Sequence, residues 1–268
     1  MTGRDESMRA KPTREQAQRE GRLLLLAEDH AVNRKLLTKQ FELAGFLVDT
    51  VEDGTQALQK FCAGIYGLVF TDLYMPVFDG FQLTAAIREF ERASGRSRTP
   101  IIALTANVSR EDVERCLVGG MDDHLSKPVT IGQLTEKLRQ WLPGLDWGQV
   151  HAETLQPRTR TPVDRTVLYQ STGSDLGNAS EFLKDYCQVA TEDLKTLSEA
   201  RGDAAIADAA HRMKGAALMI GAYEVADIAG RIEVAGRRSQ TTGIVALVEE
   251  LRQAVARVDE YVRTLSWV

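Results

Sequence analysis

Glu28 and Asp29, Asp72, Thr105 and Lys127 are five reactive residues with a common placement. Each follows or closes one of four short runs: the apolar 23–27 before the acid pair, 67–71 before Asp72 and 100–104 at Thr105, and the short strand-like 123–126 before Lys127. If those runs are strands of one open parallel sheet, all five residues converge beyond the strands' carboxyl ends, where such sheets bind ligands. Three carboxylates brought together repel, which demands a cation. Hard oxygen ligands, with water completing an octahedron, suit Mg²⁺. A carboxylate held against Mg²⁺ can attack phosphorus and form an aspartyl phosphate. Mg²⁺ and Lys127 would offset charge on the transferring phosphoryl oxygens, and the Thr105 hydroxyl would donate to one of them. Any one of these residues alone reads as a helix cap or turn former; five at matching strand ends do not.

His211 is a second candidate. The four histidines, His30, His124, His151 and His211, lie singly, and neither they nor Cys62, Cys116 and Cys187 have zinc-ligand spacing. At about 100° per residue, Ile206, Ala209, Ala210, Met213, Ala217 and Ile220 form a buried stripe, while His211, Lys214, Gly215 and Leu218 share another face. That face is expected to be exposed. Lys214 offers a cation beside the imidazole, Gly215 removes the side chain that would block approach, and Leu218 gives an apolar docking spot. Glycine stands there despite a helix-propensity penalty of about 1 kcal/mol. A neutral imidazole nitrogen is nucleophilic near pH 7. On geometry alone, a solvated face with an incidental histidine is an equal alternative.

The elements that must hold these residues follow from periodicity. Apolar runs alternate with helical stripes five times over residues 22–142, which implies a doubly wound parallel sheet covered on both faces. Residues 1–21 are charged and polar, and read as a linker or expression remnant with nothing to bury. Pro143, Gly144, Gly148, Pro157 and Pro162 break the pattern over 143–163, an interdomain linker. Residues 164–268 carry four helical stripes, led by Leu183, Ile206, Val225 and Ile244, and these predict a four-helix bundle. The fold class is α/β followed by all-α.

Composition narrows the classes. The 268 residues carry a net charge of −5, and neither large segment is basic, which excludes the electrostatic footprint of a nucleic-acid domain. Three scattered cysteines suggest no disulfide framework. The longest apolar run, 23–27, is far too short for a membrane span, and nothing resembles a signal peptide. The expectation is a cytoplasmic chain, or the cytosolic end of a membrane-anchored protein.

Four stretches occur in order: Leu25-Leu26-Ala27-Glu28-Asp29-His30 with Asn33-Arg34; Phe70-Thr71-Asp72-Leu73-Tyr74-Met75-Pro76 with Asp79-Gly80; Ala103-Leu104-Thr105-Ala106; and Gly120-Met121-Asp122-Asp123 leading to Ser126-Lys127-Pro128. Together they resemble a receiver domain of two-component signalling over 22–142, with a flavodoxin-like sheet. The resemblance implies Asp72 as phosphoacceptor and Glu28, Asp29, Asp72 and the Tyr74 backbone carbonyl as ligands of Mg²⁺. It also implies Thr105 as switch hydroxyl, Lys127 as phosphate partner, a cis bond before Pro128, and His124 at the aromatic switch position. His124 and Glu28 depart from the commoner residues there. Ala210-His211-Arg212-Met213-Lys214-Gly215-Ala216-Ala217, then Gly221-Ala222, with Gly202-Asp203 upstream, resembles the histidine-containing phosphotransfer domain. It implies His211 as phosphate carrier, with Lys214, Gly215 and Leu218 on the docking face.

A receiver followed by a phosphotransfer domain is similar to the C-terminal end of unorthodox hybrid sensor histidine kinases of the virulence-sensor type. The resemblance implies a route from a kinase histidine to Asp72, then His211, then the receiver of a separate response regulator. Two small domains leave no room for an ATP-binding kinase domain, so the chain reads as part of a kinase or a standalone carrier, without nucleic-acid or membrane contact. A haloacid-dehalogenase-type phosphatase would need a second aspartate where Tyr74 stands. A transcriptional regulator with a helical DNA-binding output would need a basic helix, and the second half is acidic. A receiver serving only as an interaction module would not need its acids, Thr105 and Lys127 intact.

Overall fold

A computed structural model describes residues 13–106, 110–145, 161–173, 176–240 and 243–265. The first unit begins with α1 (Arg14–Arg19) and continues β1 (Leu23–Ala27), α2 (Ala31–Leu43), β2 (Leu47–Val51), α3 (Gly54–Ala63), β3 (Leu68–Asp72), α4 (Gly80–Ser94), β4 (Ile101–Thr105), α5 (Arg110–Val118), β5 (Asp123–Ser126) and α6 (Ile131–Trp141). The strands form one sheet in the order β2-β1-β3-β4-β5, every neighbouring pair parallel. This is the expected doubly wound sheet. β1, β3 and β4 are buried along their whole length, which is why they read as unbroken apolar runs. Successive side chains alternate faces. Leu24, Leu26 and Phe70 pack with Leu36, Leu37 and Phe41 on one side; Leu25, Val69 and Ala103 pack with Leu83 and Ile87 on the other.

The acid-bearing edge is set by local constraints. Asp72 is the last residue of β3, and the loop after it returns so closely that a Cβ on Gly80 would lie 2.3 Å from the Asp72 carbonyl oxygen. Only glycine fits there. Asp79 then caps α4 in a reciprocal pair with Gln82. The Lys127–Pro128 peptide is cis.

The second unit comprises α7 (Arg165–Thr172), α8 (Leu176–Glu199), α9 (Asp203–Met219), α10 (Tyr223–Arg237) and α11 (Ile244–Thr264). Leu183, Tyr186, Met213, Ile228, Ile232, Leu251 and Val258 fill the core of the bundle α8–α11. No described helix is long and apolar enough to cross a membrane.

Three features depart from the sequence reading. A fifth helix, α7, leads into the bundle. Residues 13–20 do bury something: Ala17 packs fully against the sheet unit, and Arg14 pairs with Asp49 at 2.7 Å. One alanine carries no stripe, so periodicity missed it. Val163, placed at the end of the linker, lies in the bundle core; residues 146–160 fall outside the described residues.

Candidate functional site

The structure brings the strand-end residues together. Carboxylate oxygens of Glu28, Asp29 and Asp72 all lie within 4.8 Å of one another. The buried Lys127 ammonium donates to Glu28 Oε2 at 2.8 Å and to Asp72 Oδ2 at 2.5 Å. Asn33 donates to Glu28 Oε1 at 2.8 Å. Arg34 donates to the Glu28 and Asp29 carbonyls at 2.8 and 2.6 Å, pinning the acid loop. The Tyr74 amide donates to Asp72 Oδ1 at 3.2 Å. Thr105 is buried at the end of β4, one residue past Leu104, which pairs with Asp72 on β3, and its carbonyl accepts from the Lys127 amide at 2.7 Å. His124 sits part-exposed on β5, its ring 4.0 Å from Asp123.

Electrostatics divide the three acids. Burial raises the Asp72 carboxyl, but Lys127 and His211 outweigh it and hold it well below the usual range. Burial lowers Lys127, but Asp72 and Glu28 outweigh it and hold it above its ordinary value. At Asp29 the pull of Lys127 and Arg212 is the weaker side. Burial, then repulsion from Glu28 and Asp72, pushes it up to about 7. Its Oδ2 is buried without a hydrogen-bond partner.

His211 is where expectation and structure part. It is 4% exposed, not solvated, because the sheet unit covers this face of α9. Its Nε2 lies 4.0 Å from Asp72 Oδ1, too far for a hydrogen bond but facing it. Its Nδ1 lies 2.8 Å from Glu233 Oε1 on α10, and the Tyr74 ring meets it edge-on at 4.9 Å. Burial lowers the imidazole; Asp72 and Glu233 outweigh it and push it up to about 9. Glu233 is correspondingly held down to about 2, burial being overcome by His211, Lys214 and Arg237.

The remaining residues of that face separate. Lys214 lies 3.4 Å from Glu233 rather than reaching across the junction. A Cβ on Gly215 would lie 3.5 Å from Lys127 Nζ and 3.7 Å from Asn33 Nδ2, so this glycine sits against the acid site of the other unit. Leu218, the expected docking residue, is partly buried against the bundle's own core. Met219 makes an apolar contact across the junction, burying itself in the sheet unit with its sulfur accepting from the Val129 amide at 3.4 Å. Arg212 reaches to 3.8 Å from Asp29. An open cleft of about 250 Å³ at the junction is lined by Asp29, Tyr74, Asp208, His211, Arg212 and Arg237, among others.

The response regulator receiver domain family matches residues 24–139, and the Hpt domain family matches 181–261. The chain is a receiver domain joined to an Hpt domain. That pairing makes it a phosphorelay signal-transduction chain. It is 31% identical over 242 residues to the sensor protein EvgS of Escherichia coli K12, covering 88% of this chain and 19% of EvgS. It is 37% identical over 116 residues to the sensor histidine kinase RcsC of Salmonella typhi, covering 43% of this chain and 12% of RcsC. The chain thus spans about a fifth or less of these relatives. Among solved structures, the magnesium-coordinated receiver domain of the Pseudomonas aeruginosa sensor kinase PA1611 is 37% identical, with 46% of this chain and 98% of that one covered, at a TM-score of 0.42.

Glu233, Arg212 and the Tyr74 side chain escaped the sequence reading. Glu233 is 22 residues beyond His211, and only the packing of α9 against α10 joins them. A carboxylate on the inner edge of the α10 stripe, after Ile228 and Ile232, is the one signal for it. Arg212 and Tyr74 belong to the junction between the two domains, which no pattern within either half encodes.

Proposed function

We propose that this chain relays a phosphoryl group from a sensor kinase histidine to Asp72, from Asp72 to His211, and from His211 to the receiver of a separate response regulator. The observation that carries the reading is the buried approach of His211 Nε2 to 4.0 Å from Asp72 Oδ1 beside Lys127. Loading forms a bond from an Asp72 oxygen to phosphorus and breaks the donor's phosphorus–nitrogen bond. Relay forms a bond from His211 Nε2 to phosphorus and breaks the bond to Asp72, whose carboxylate charge Lys127 receives. Glu233 keeps a proton on Nδ1; Nε2, held protonated in the resting site by Asp72 and Glu233, gives its proton to solvent before its lone pair attacks phosphorus. Such transfer needs nucleophile and phosphorus within about 3–3.5 Å.

Three close carboxylates, one with a buried oxygen that accepts no hydrogen bond, fit a divalent cation. Glu28, Asp29, Asp72 and the Tyr74 carbonyl would hold Mg²⁺, which when bound neutralises charge on phosphoryl oxygens. In this reading the Thr105 hydroxyl donates to the phosphoryl group, and His124 fills the space that Thr105 leaves. Lys214 acts through Glu233, and Gly215 permits approach. The receiver occupies 22–142, the linker 143–163 and the phosphotransfer domain 164–268, with α1 as an extension packed on the receiver. The working location is the cytoplasmic side of a membrane-anchored sensor kinase.

The test uses a small-molecule phosphodonor with Mg²⁺, read by mass. Asp72 gains the label; Asp72→Asn does not, and excess chelator prevents it. His211→Gln keeps the label and loses onward transfer to a regulator. Equal labelling in chelator or in Asp72→Asn, or onward transfer by His211→Gln, overturns the reading.

A further inference from the structure

Away from the reaction centre, a second set of contacts joins the two domains along α2 and α8. Lys35 Nζ lies 2.6 Å from Glu181 Oε1 and 2.6 Å from Asp185 Oδ2, and 5.6 Å over the Phe182 ring. His30 Nε2 lies 3.0 Å from Asp193 Oδ2. Descending α2 ascends α8, so the helices run antiparallel with Glu181, Asp185 and Asp193 facing the receiver. The Gln40 amide donates to Val129 O at 2.9 Å and to Ser171 O at 2.8 Å, tying α2 to α7. Apolar side chains cross the boundary in both directions: Phe182 lies in the receiver's core and Val32 in the bundle's.

We propose that α2 and α8 form a charge-matched latch that holds the receiver and Hpt domain of one chain together. Transfer from Asp72 to His211 then runs within the chain, and a second receiver reaches His211 only after the latch opens. The relay itself rests on the function proposed above; the latch rests on contacts that take no part in it. The division of labour is physical. Phe182, Val32 and Met219 supply buried apolar area. The ion pairs around Lys35 are part-exposed, and such pairs add little affinity but reject partners that present the wrong charge. The occupant is this chain's own receiver because Lys35 meets both Glu181 and Asp185, and His30 meets Asp193, within one chain. Exclusivity follows from burial: with the latch closed, His211 has no free face for another aspartate.

The test follows single-turnover transfer from labelled Asp72 to His211 in the full chain. Wild-type transfer keeps one rate constant over roughly a hundredfold range of protein concentration, whereas a mixture of Asp72→Asn and His211→Gln chains speeds up with concentration. Glu181→Lys with Asp185→Lys slows transfer about tenfold, and adding Lys35→Glu restores most of it. Labelling of Asp72 by the phosphodonor serves as the folding control. Small-angle scattering shows a compact wild type and an expanded double variant. A wild-type rate that rises with concentration, or a double variant that transfers at the wild-type rate and stays compact, overturns the latch. If no chain passes label to His211, the proposed relay fails, and scattering alone decides the latch: compact wild type and expanded double variant support it, equal sizes overturn it.

Discussion

In the proposed relay, Glu233 is the group that orients the His211 ring. Its Oε1 lies 2.8 Å from Nδ1, and Lys214 and Arg237 lie 3.4 and 3.3 Å from its oxygens. The carboxylate is placed to accept from Nδ1–H and hold the ring's orientation while two cations balance its charge. Glu233→Ala leaves the ring free to turn, and a nucleophile misplaced by an ångström loses about 100-fold in transfer rate. Glu233→Gln, whose amide oxygen still accepts from Nδ1–H, recovers most of that loss. Both keep wild-type labelling of Asp72. Single-turnover transfer measures this; equal rates for Ala, Gln and wild type would show that Glu233 does not position the ring. At this scale the sequence was legible wherever chemistry is tied to an element's end. Glu28, Asp29, Asp72 and Thr105 each close or follow a buried strand, Lys127 follows the partly buried β5, and parallel order brings such ends together. Glu233, Arg212 and Tyr74 act across helix and domain boundaries, and periodicity carries no information about what lies across a boundary.

The sheet was readable because β1, β3 and β4 are buried on both faces and therefore apolar throughout, whereas α1 was not, since a single alanine anchors it. What α1 lacks in apolar area it replaces with a polar clamp. Arg14 donates to both Asp49 carboxylate oxygens at 2.7 Å, and the Tyr66 hydroxyl donates to Oδ2 at 2.6 Å. The hydrogen bonds from Arg14 hold the Asp49 carboxyl below its ordinary value, burial opposing and Tyr66 assisting. A carboxyl lowered by folding contributes stability above its unfolded value, about 3.9, and loses it as pH falls through its folded value. Half of the Arg14 side chain is exposed, so the effect is screened. Arg14→Ala should lower stability by about 0.5–1 kcal/mol at neutral pH, with the gap narrowing as pH falls below about 4. Urea melts at stepped pH measure it; a gap that is absent, or constant with pH, would remove the clamp from the stability of this element.

Each half of the molecule was legible alone, yet their junction was not. Phe182, Met219 and Val32 sit on helices that also bury residues in their own domain, so a side chain committed to the neighbour looks like one more member of a local stripe. The burial of His211 has the same origin. Gly215 is the point at which bulk on the helix face bearing His211 would test this junction. A single added carbon would meet Lys127 Nζ at 3.5 Å and Asn33 Nδ2 at 3.7 Å, which is ordinary contact and requires no movement. Gly215→Ala should therefore keep the two domains closed, preserve transfer, and stabilise α9 by up to about 1 kcal/mol. Gly215→Gln adds atoms where the Lys127 ammonium and the Asn33 amide already stand, both held by Glu28. Displacing them would break a buried ion pair, a loss of about 3–5 kcal/mol. Separation of the domains on this face is the cheaper response. Gly215→Gln should then show a larger radius of gyration and little Asp72-to-His211 transfer. Phosphodonor labelling of Asp72 should be intact, and the bundle should still melt cooperatively. A Gly215→Gln chain as compact as wild type and transferring at the wild-type rate would mean that the face of α9 bearing His211 is not the one the receiver engages.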